Sequence, residues 1–326
     1  MGGEAEVTTD EVTTTSTAVR LAAKLRESLS AVVLGTPDAV TTAVVAVLAG
    51  GHLLIDDVPG VGKTMLAKAI AVSVGARLAR VQGHPDLLPS DITGISVYSA
   101  ETRTWDFKPG PVFANVLLFD ELNRTPPRSQ AALLEAMEER QVTVDGQSWP
   151  LPVPHLVLAT QNPIGQAGTF PLVESQMDRF LLATSLGYPD AATEIRLALA
   201  RGAQPALEAM VAVADLDELV AAQRETIAVH VGAPVAAYAV EIVRATRESP
   251  SVLLGASPRA AIALVAAARA HAIIEGREFA TPSDVKSVAP ACLSHRLVTD
   301  ADPSRALAAG QAAVQEVLAS VVVPRP

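Results

Sequence analysis

Five short apolar runs punctuate this chain, at 53–55, 78–81, 116–119, 156–160 and 181–186. Patterns with helical spacing lie between them, at 63–74 and 126–140. Strands buried on both faces read as continuous apolar runs. Their alternation with helices across 51–189 therefore predicts a parallel sheet covered by helices on both faces. Two stretches interrupt the alternation. Residues 95–113 (ISVYSAETRTWDFKPGPVF) show period-two patterning around a polar turn. Residues 141–155 (QVTVDGQSWPLPVPH) set Asp145-Gly146 between alternating apolar residues, the strongest short-range hairpin signal. Both predict β-hairpins inserted into an α/β frame.

The flanking segments are helical in period. Val19, Leu21, Leu25, Leu29, Val32 and Val33 recur at near-helical spacing over 17–34. Thr36-Pro37-Asp38 then reads as a helix start, a capping residue followed by proline. Residues 39–49 are rich in β-branched side chains, which favour a strand. Their length, their alanines, the proline entry and the Gly50-Gly51 exit favour a helix, which is the expectation adopted. Beyond Tyr188-Pro189-Asp190 the chain turns alanine-rich and helical, and Thr281-Pro282-Ser283-Asp284 forms a capping box. The expected division is a disordered, acidic tail over 1–16, an α/β domain over 17–189 and a separate all-α domain over 190–326.

The most specific stretch is 51–64, GHLLIDDVPGVGKT. An apolar run leads into a Gly/Pro loop that ends in Gly-Lys-Thr, and a helical pattern follows at once. Strand, loop and helix are the context a Walker A phosphate loop needs. Pro59, Gly60, Val61, Gly62, Lys63, Thr64 and Met65 form the candidate nucleotide-binding set. Backbone N–H groups from Gly60 to Thr64 can point at phosphate oxygens, aided by the helix N-terminus. Lys63 would reach the β/γ-phosphates and the Thr64 hydroxyl would ligate Mg²⁺. Asp57 stands where the pattern has glycine. Its carboxylate either turns away from the anion or faces it. In the second case, unit charges ~8 Å apart at an effective dielectric of ~20 repel by about 2 kcal/mol.

Other residues complete a hydrolytic set. VLLFDE (116–121) is an apolar strand ending in Asp120 and Glu121, delivered to the same sheet edge as the loop. Asp120 would hold Mg²⁺ through water and Glu121 would polarise the attacking water. HLVLATQN (155–162) ends in Thr160, Gln161 and Asn162, where an amide could hold that water or the γ-phosphate. Arg179 in SQMDRF and Arg259 in GASPRA are candidate cations for the transferring phosphoryl group.

Composition narrows the alternatives. The chain of 326 residues carries a net charge of −10 and lacks a Lys/Arg block, which argues against a nucleic-acid or anionic-membrane surface. One cysteine, Cys292, excludes an intramolecular disulfide framework and any cysteine-rich zinc site. The six histidines show no metal-ligand spacing. The longest near-apolar stretch, 43–55, is too short to span a bilayer, and the N-terminus does not read as a signal peptide. A cytoplasmic protein is the expectation.

Taken in order, these motifs resemble those of AAA+ ATPases, and within that class the MoxR family. DLLPSDITG (86–94), PGPVFANVLLFDELNRTPPRSQAALLEAMEERQVTVDG (109–146), ATQNP (159–163), FPLVESQMDRF (170–180) and LGYP (186–189) carry the resemblance, which spans about 17–300 and thins over 200–250. It implies an AAA+ core with ATP and Mg²⁺ as ligands. Gly60, Gly62, Lys63 and Thr64 would form Walker A, and Asp120 and Glu121 Walker B. Asn162 would be sensor 1, Arg179 the arginine finger acting on a neighbouring subunit, and Arg259 sensor 2 on the lid. The two hairpins would be the helix-2 and pre-sensor-1 inserts. The resemblance also implies a homo-oligomeric ring, usually hexameric, and chaperone-like work with a von Willebrand factor A domain partner on client proteins. Metal-cofactor insertion and complex assembly are such tasks. A nucleotide-gated adaptor with slow hydrolysis and a magnesium-chelatase-like ATPase subunit are the alternatives.

Overall fold

The computed structural model describes residues 16–163, 168–200 and 202–324. The expected tail lies outside them but for Ser16. Two helices, α1 (Thr17–Val32) and α2 (Pro37–Leu48), precede β1 (Leu53–Asp56) and α3 (Lys63–Ser73). Next come β2 (Leu78–Gln82), α4 (Pro89–Thr93) and a hairpin of β3 (Gly94–Ser99) and β4 (Thr104–Pro109). Then follow β5 (Val116–Asp120), α5 (Pro127–Glu139) and a second hairpin of β6 (Gln141–Val144) and β7 (Gln147–Pro150). The strand β8 (Leu156–Gln161), the turn α6 (Glu174–Met177) and β9 (Leu182–Thr184) finish the α/β part. Beyond it lie α7 (Ala191–Leu199), α8 (Gln204–Glu208), α9 (Leu216–Ala228), β10 (His230–Val231) and α10 (Ala233–Ala245). The last elements are α11 (Pro258–Ile274), β11 (Phe279–Ala280), α12 (Pro282–Leu293) and α13 (Ala306–Ser320).

The α/β expectation holds, with both hairpins in place. Five parallel strands run in the order β2-β5-β8-β1-β9. Period-two geometry sorts their side chains into two cores. Leu53, Ile55, Val116, Leu118, Leu156 and Leu158 join the core that also takes α1, α2, α3 and helices beyond α8. Leu54, Leu117, Phe119, Val157 and Ala159 face the other, with Leu133, Leu134 and Met137 of α5. Because both sides are buried, β1, β5, β8 and β9 carry no polar face for a sequence pattern to show, whereas the edge strand β2 is partly exposed.

The doubtful segment over 39–49 is helical. Pro37 sits in the first turn of α2, and eight of its residues are buried, from Ala39 to Leu48. A helix that is apolar nearly all round belongs in a core. In the second hairpin, Asp145 (φ +51°) and Gly146 (φ +78°) both adopt left-handed backbone, as a tight two-residue turn demands. The hairpins are joined by aromatic stacking of Phe107 on Trp149, ring centres 4.5 Å apart.

Candidate functional site

The phosphate-loop candidate leaves β1 at its C-terminal end. Gly60 (φ +88°) and Gly62 (φ +101°) take backbone conformations that L side chains rarely adopt. A Cβ built on Gly60 meets nothing within 4 Å, and one on Gly62 meets only Leu186, at 4.0 Å. Here glycine serves backbone shape, and the loop faces open space beside the N-terminus of α3, which Gly62 caps. Lys63 donates from Nζ to the Asp57 carbonyl at 2.6 Å. Burial pulls its pKa down, while Asp57, Asp120, Asp56 and Glu121 hold it up.

The carboxylate of Asp57 turns away from the loop's open side. Its Oδ1 accepts from the Val58 N–H at 2.8 Å. Its Oδ2 accepts from the Ser185 hydroxyl at 3.0 Å, the Leu186 N–H at 2.7 Å and the Gly187 N–H at 2.8 Å. Asp57 therefore ties the loop to the chain leaving β9. Its neighbour Asp56 is less well served. It is 8% exposed, and its Oδ1 is buried without a hydrogen-bond partner among the described residues. Burial pushes its pKa up to about 6, against a hydrogen bond from Gln161 and the charge of Lys63.

At the end of β5, Asp120 and Glu121 reach the same edge. Asp120 accepts from Arg80 Nε at 2.7 Å and from the Thr160 hydroxyl at 3.3 Å. The same Thr160 oxygen accepts the Glu121 N–H at 2.9 Å. Glu121 takes a left-handed backbone (φ +57°), and its carboxylate accepts from Gln82 and Arg124, each at 3.2 Å. Gly83 makes room for this turn: a Cβ there would lie 2.2 Å from the Glu121 carbonyl oxygen. Sequence reasoning noted Thr160 only as a strand-end residue and missed Arg80, Gln82, Gly83 and Asp56. An arginine in an edge strand and a glycine after it form no pattern.

Asn162 follows β8, at the edge reached by Asp120 and Glu121, and its carbonyl accepts from Asn123 Nδ2 at 3.1 Å. The two arginines lie elsewhere. Arg179 precedes β9, which runs parallel to β1 with Leu53 beside Leu182. It therefore stands at the opposite sheet edge from Lys63. At about 3.3 Å per residue the strands alone set about 10 Å between those edges. Arg259 joins it there: Glu138 Oε2 accepts from Arg179 at 3.0 Å and Oε1 from Arg259 at 2.7 Å. Arg179 also donates to the Leu134 carbonyl at 2.6 Å. The structure thus brings Lys63, Thr64, Asp120, Glu121 and Asn162 to one edge and pairs Arg179 with Arg259 at the other.

The residues fit a nucleotide. The left-handed glycines of the loop face open space, and Lys63 and the N-terminus of α3 stand beside it. They also fit a metal that arrives with phosphate oxygens. No group of three His, Cys, Asp or Glu side chains among the described residues could hold one by itself.

Comparison with known proteins agrees with this geometry. Residues 52–182 match the profile of the ATPase family associated with various cellular activities, and residues 244–317 match the AAA lid domain. Chaperone MoxR1 of Mycobacterium tuberculosis is 38% identical over 304 residues, covering 90% of this chain and 80% of that protein. The chain belongs to the MoxR family of AAA+ ATPases. Another similar protein is the uncharacterized YeaC of Bacillus subtilis, 43% identical over 93% of this chain and 95% of its own length. A crystal structure of a candidate ATPase from Cytophaga hutchinsonii superposes with a TM-score of 0.81 at 33% identity, covering 95% of this chain and 97% of that one. Within this MoxR-family chain Arg259 and Arg296 fall in the lid match, whereas Arg179 falls in the ATPase match. None of its described helices is long and apolar enough to cross a membrane.

Proposed function

We propose that this MoxR-family chain hydrolyses ATP in a homo-oligomeric, six-membered ring that remodels partner proteins in the cytoplasm. The observation that carries the reading is the split between the two sheet edges. Lys63, Thr64, Asp120, Glu121 and Asn162 can serve a nucleotide on their own subunit. Arg179 and Arg259 stand at the far edge, where a neighbour's nucleotide would meet them. With this reading goes a division into a nucleotide-binding unit, 17–189, and a helical lid, 190–326.

Pro59 to Met65 would wrap the phosphates, with backbone N–H groups and Lys63 supplying the positive potential. Thr64 and Asp120 would hold Mg²⁺, which neutralises charge on the β/γ-oxygens when bound. Glu121 would take the proton side of the attacking water, and Asn162 would orient that water. Binding would have to draw Asp120 from Arg80 and Glu121 from Gln82 and Arg124, so these pairs are exchanged when the site fills. The partner would be a von Willebrand factor A domain protein, and the work assembly or metal-cofactor insertion in clients. The name of the M. tuberculosis relative, a chaperone, supports work on client proteins, and the von Willebrand partner rests on the family resemblance alone.

The reading is tested by two substitutions. Lys63→Ala is expected to abolish ATP binding. Glu121→Gln is expected to bind ATP and lose at least 100-fold in turnover. Full turnover by Glu121→Gln, measured as phosphate release, would overturn the assignment.

A further inference from the structure

Arg296 is a permanent cation with a side chain only 3% exposed. Such burial is costly unless every donor finds an acceptor. The Nη1 of Arg296 donates to the carbonyl of Cys292, four residues back in its own chain, and to the Cys292 sulfur at 3.1 Å, and the remaining acceptors cluster on one short segment. Arg296 Nε donates to Asp178 Oδ1 at 2.8 Å. Its Nη2 donates to the Asp178 carbonyl at 3.3 Å and the Phe180 carbonyl at 2.7 Å, and its Nη1 reaches the Leu181 carbonyl at 3.4 Å. Ser257, the residue capping α11, donates to the second carboxylate oxygen of Asp178 at 2.8 Å. His295 Nε2 meets the Phe180 carbonyl at 3.1 Å. The backbone on both sides of Arg179 is therefore held by side chains more than 75 positions away in sequence.

We propose that Asp178 and Arg296 are positioning residues for Arg179: the lid of a subunit sets where that subunit's own arginine stands when it meets a neighbour's nucleotide. This rests on the reading of Arg179 as a group acting between subunits. The geometry is specific to guanidinium. Lysine offers one nitrogen and could not hold a carboxylate and three carbonyls spread over four residues. Asp178 has no other visible task, since both its oxygens are spent on lid residues. The Arg179 guanidinium lies part-exposed at the edge, paired with Glu138 and the Leu134 carbonyl, and would have to give up Glu138 to meet a phosphate.

The test uses mixed rings. Asp178→Asn, Arg296→Lys, the milder Ser257→Ala and Arg179→Ala as reference are each assayed alone and mixed with Glu121→Gln. A Glu121→Gln subunit has a dead site but an intact arginine for its neighbour. Alone, Asp178→Asn and Arg296→Lys should lose at least tenfold in kcat with nucleotide affinity within about twofold, and Ser257→Ala two- to fivefold. Mixing should restore turnover to each in the same manner as to Arg179→Ala. Rescue of Arg179→Ala without rescue of the other three would overturn the proposal and leave the role of Arg179 standing. Failure to rescue Arg179→Ala would overturn both. Should Asp178→Asn or Arg296→Lys fail to fold, Ser257→Ala alone decides, and unchanged turnover in it would count against the clamp.

Discussion

Replacing Asp57 should separate stability from nucleotide binding. In Asp57→Ala four donors lose their acceptor: the N–H groups of Val58, Leu186 and Gly187 and the hydroxyl of Ser185. A buried donor left unsatisfied costs about 1–3 kcal/mol. The Leu186 N–H is buried with its bond, whereas the other three lie nearer the surface and can recruit water. A total of about 3–5 kcal/mol follows. Asp57→Asn can keep its carbonyl oxygen in the place of Oδ2, retaining three of the bonds without the charge that strengthens them. Its cost should be about 1–2 kcal/mol. The same carboxylate faces away from the loop's open side, so ATP affinity should shift less than tenfold, or under about 1.4 kcal/mol, in both variants. Urea unfolding gives the first quantity and a fluorescent-nucleotide titration gives the second. An Asp57→Ala protein as stable as the parent would refute the tie. A gain in ATP affinity above tenfold would show that the charge faces the phosphates.

Other expectations follow from the same edge. Asp56 holds its proton more tightly folded than unfolded, its pKa moving from 3.8 to about 6, so stability is lost as pH rises through that window. Asp56→Asn should therefore stabilise the protein by about 2–3 kcal/mol at pH 7.5 and by close to nothing near pH 3.5; equal gains at both pH values in denaturant titrations would exclude burial of that charge as the cause. Gly83→Ala should push the Glu121 carbonyl and lower kcat severalfold, with ATP affinity within about twofold; an unchanged kcat would mean that the Glu121 turn adjusts freely.

Much of the frame was legible in the sequence because its physics is local or periodic. Four of the sheet strands, β1, β5, β8 and β9, are buried along their length and read as apolar runs. Asp145-Gly146 announced its turn because left-handed backbone favours those residue types. The segment 78–81 also reads as apolar, yet β2 is a partly exposed edge strand whose Arg80 and Gln82 reach the carboxylates of Asp120 and Glu121. One arginine in a short run carries no signal of that reach. The direction of the Asp57 carboxylate could not be read either, since it depends on a segment 128–130 residues further on. The pairing of Arg179 with Arg259 through Glu138 is hidden for the same reason: three single charges, far apart in the chain, meet only once the helices pack.

The ten residues from Asp178 to Gly187 are held at one end by Arg296 and at the other by Asp57. Between these anchorages runs β9, hydrogen-bonded along β1. Mechanically this is a tie bar of fixed length. It joins the loop that would grip one nucleotide to the arginine that would be offered to the next. Extended backbone resists stretching, so the spacing of those two features within a subunit is close to constant. In a ring of such chains, changes in the distance between one site and the next must be taken up where subunits meet, as rotations of whole bodies against each other.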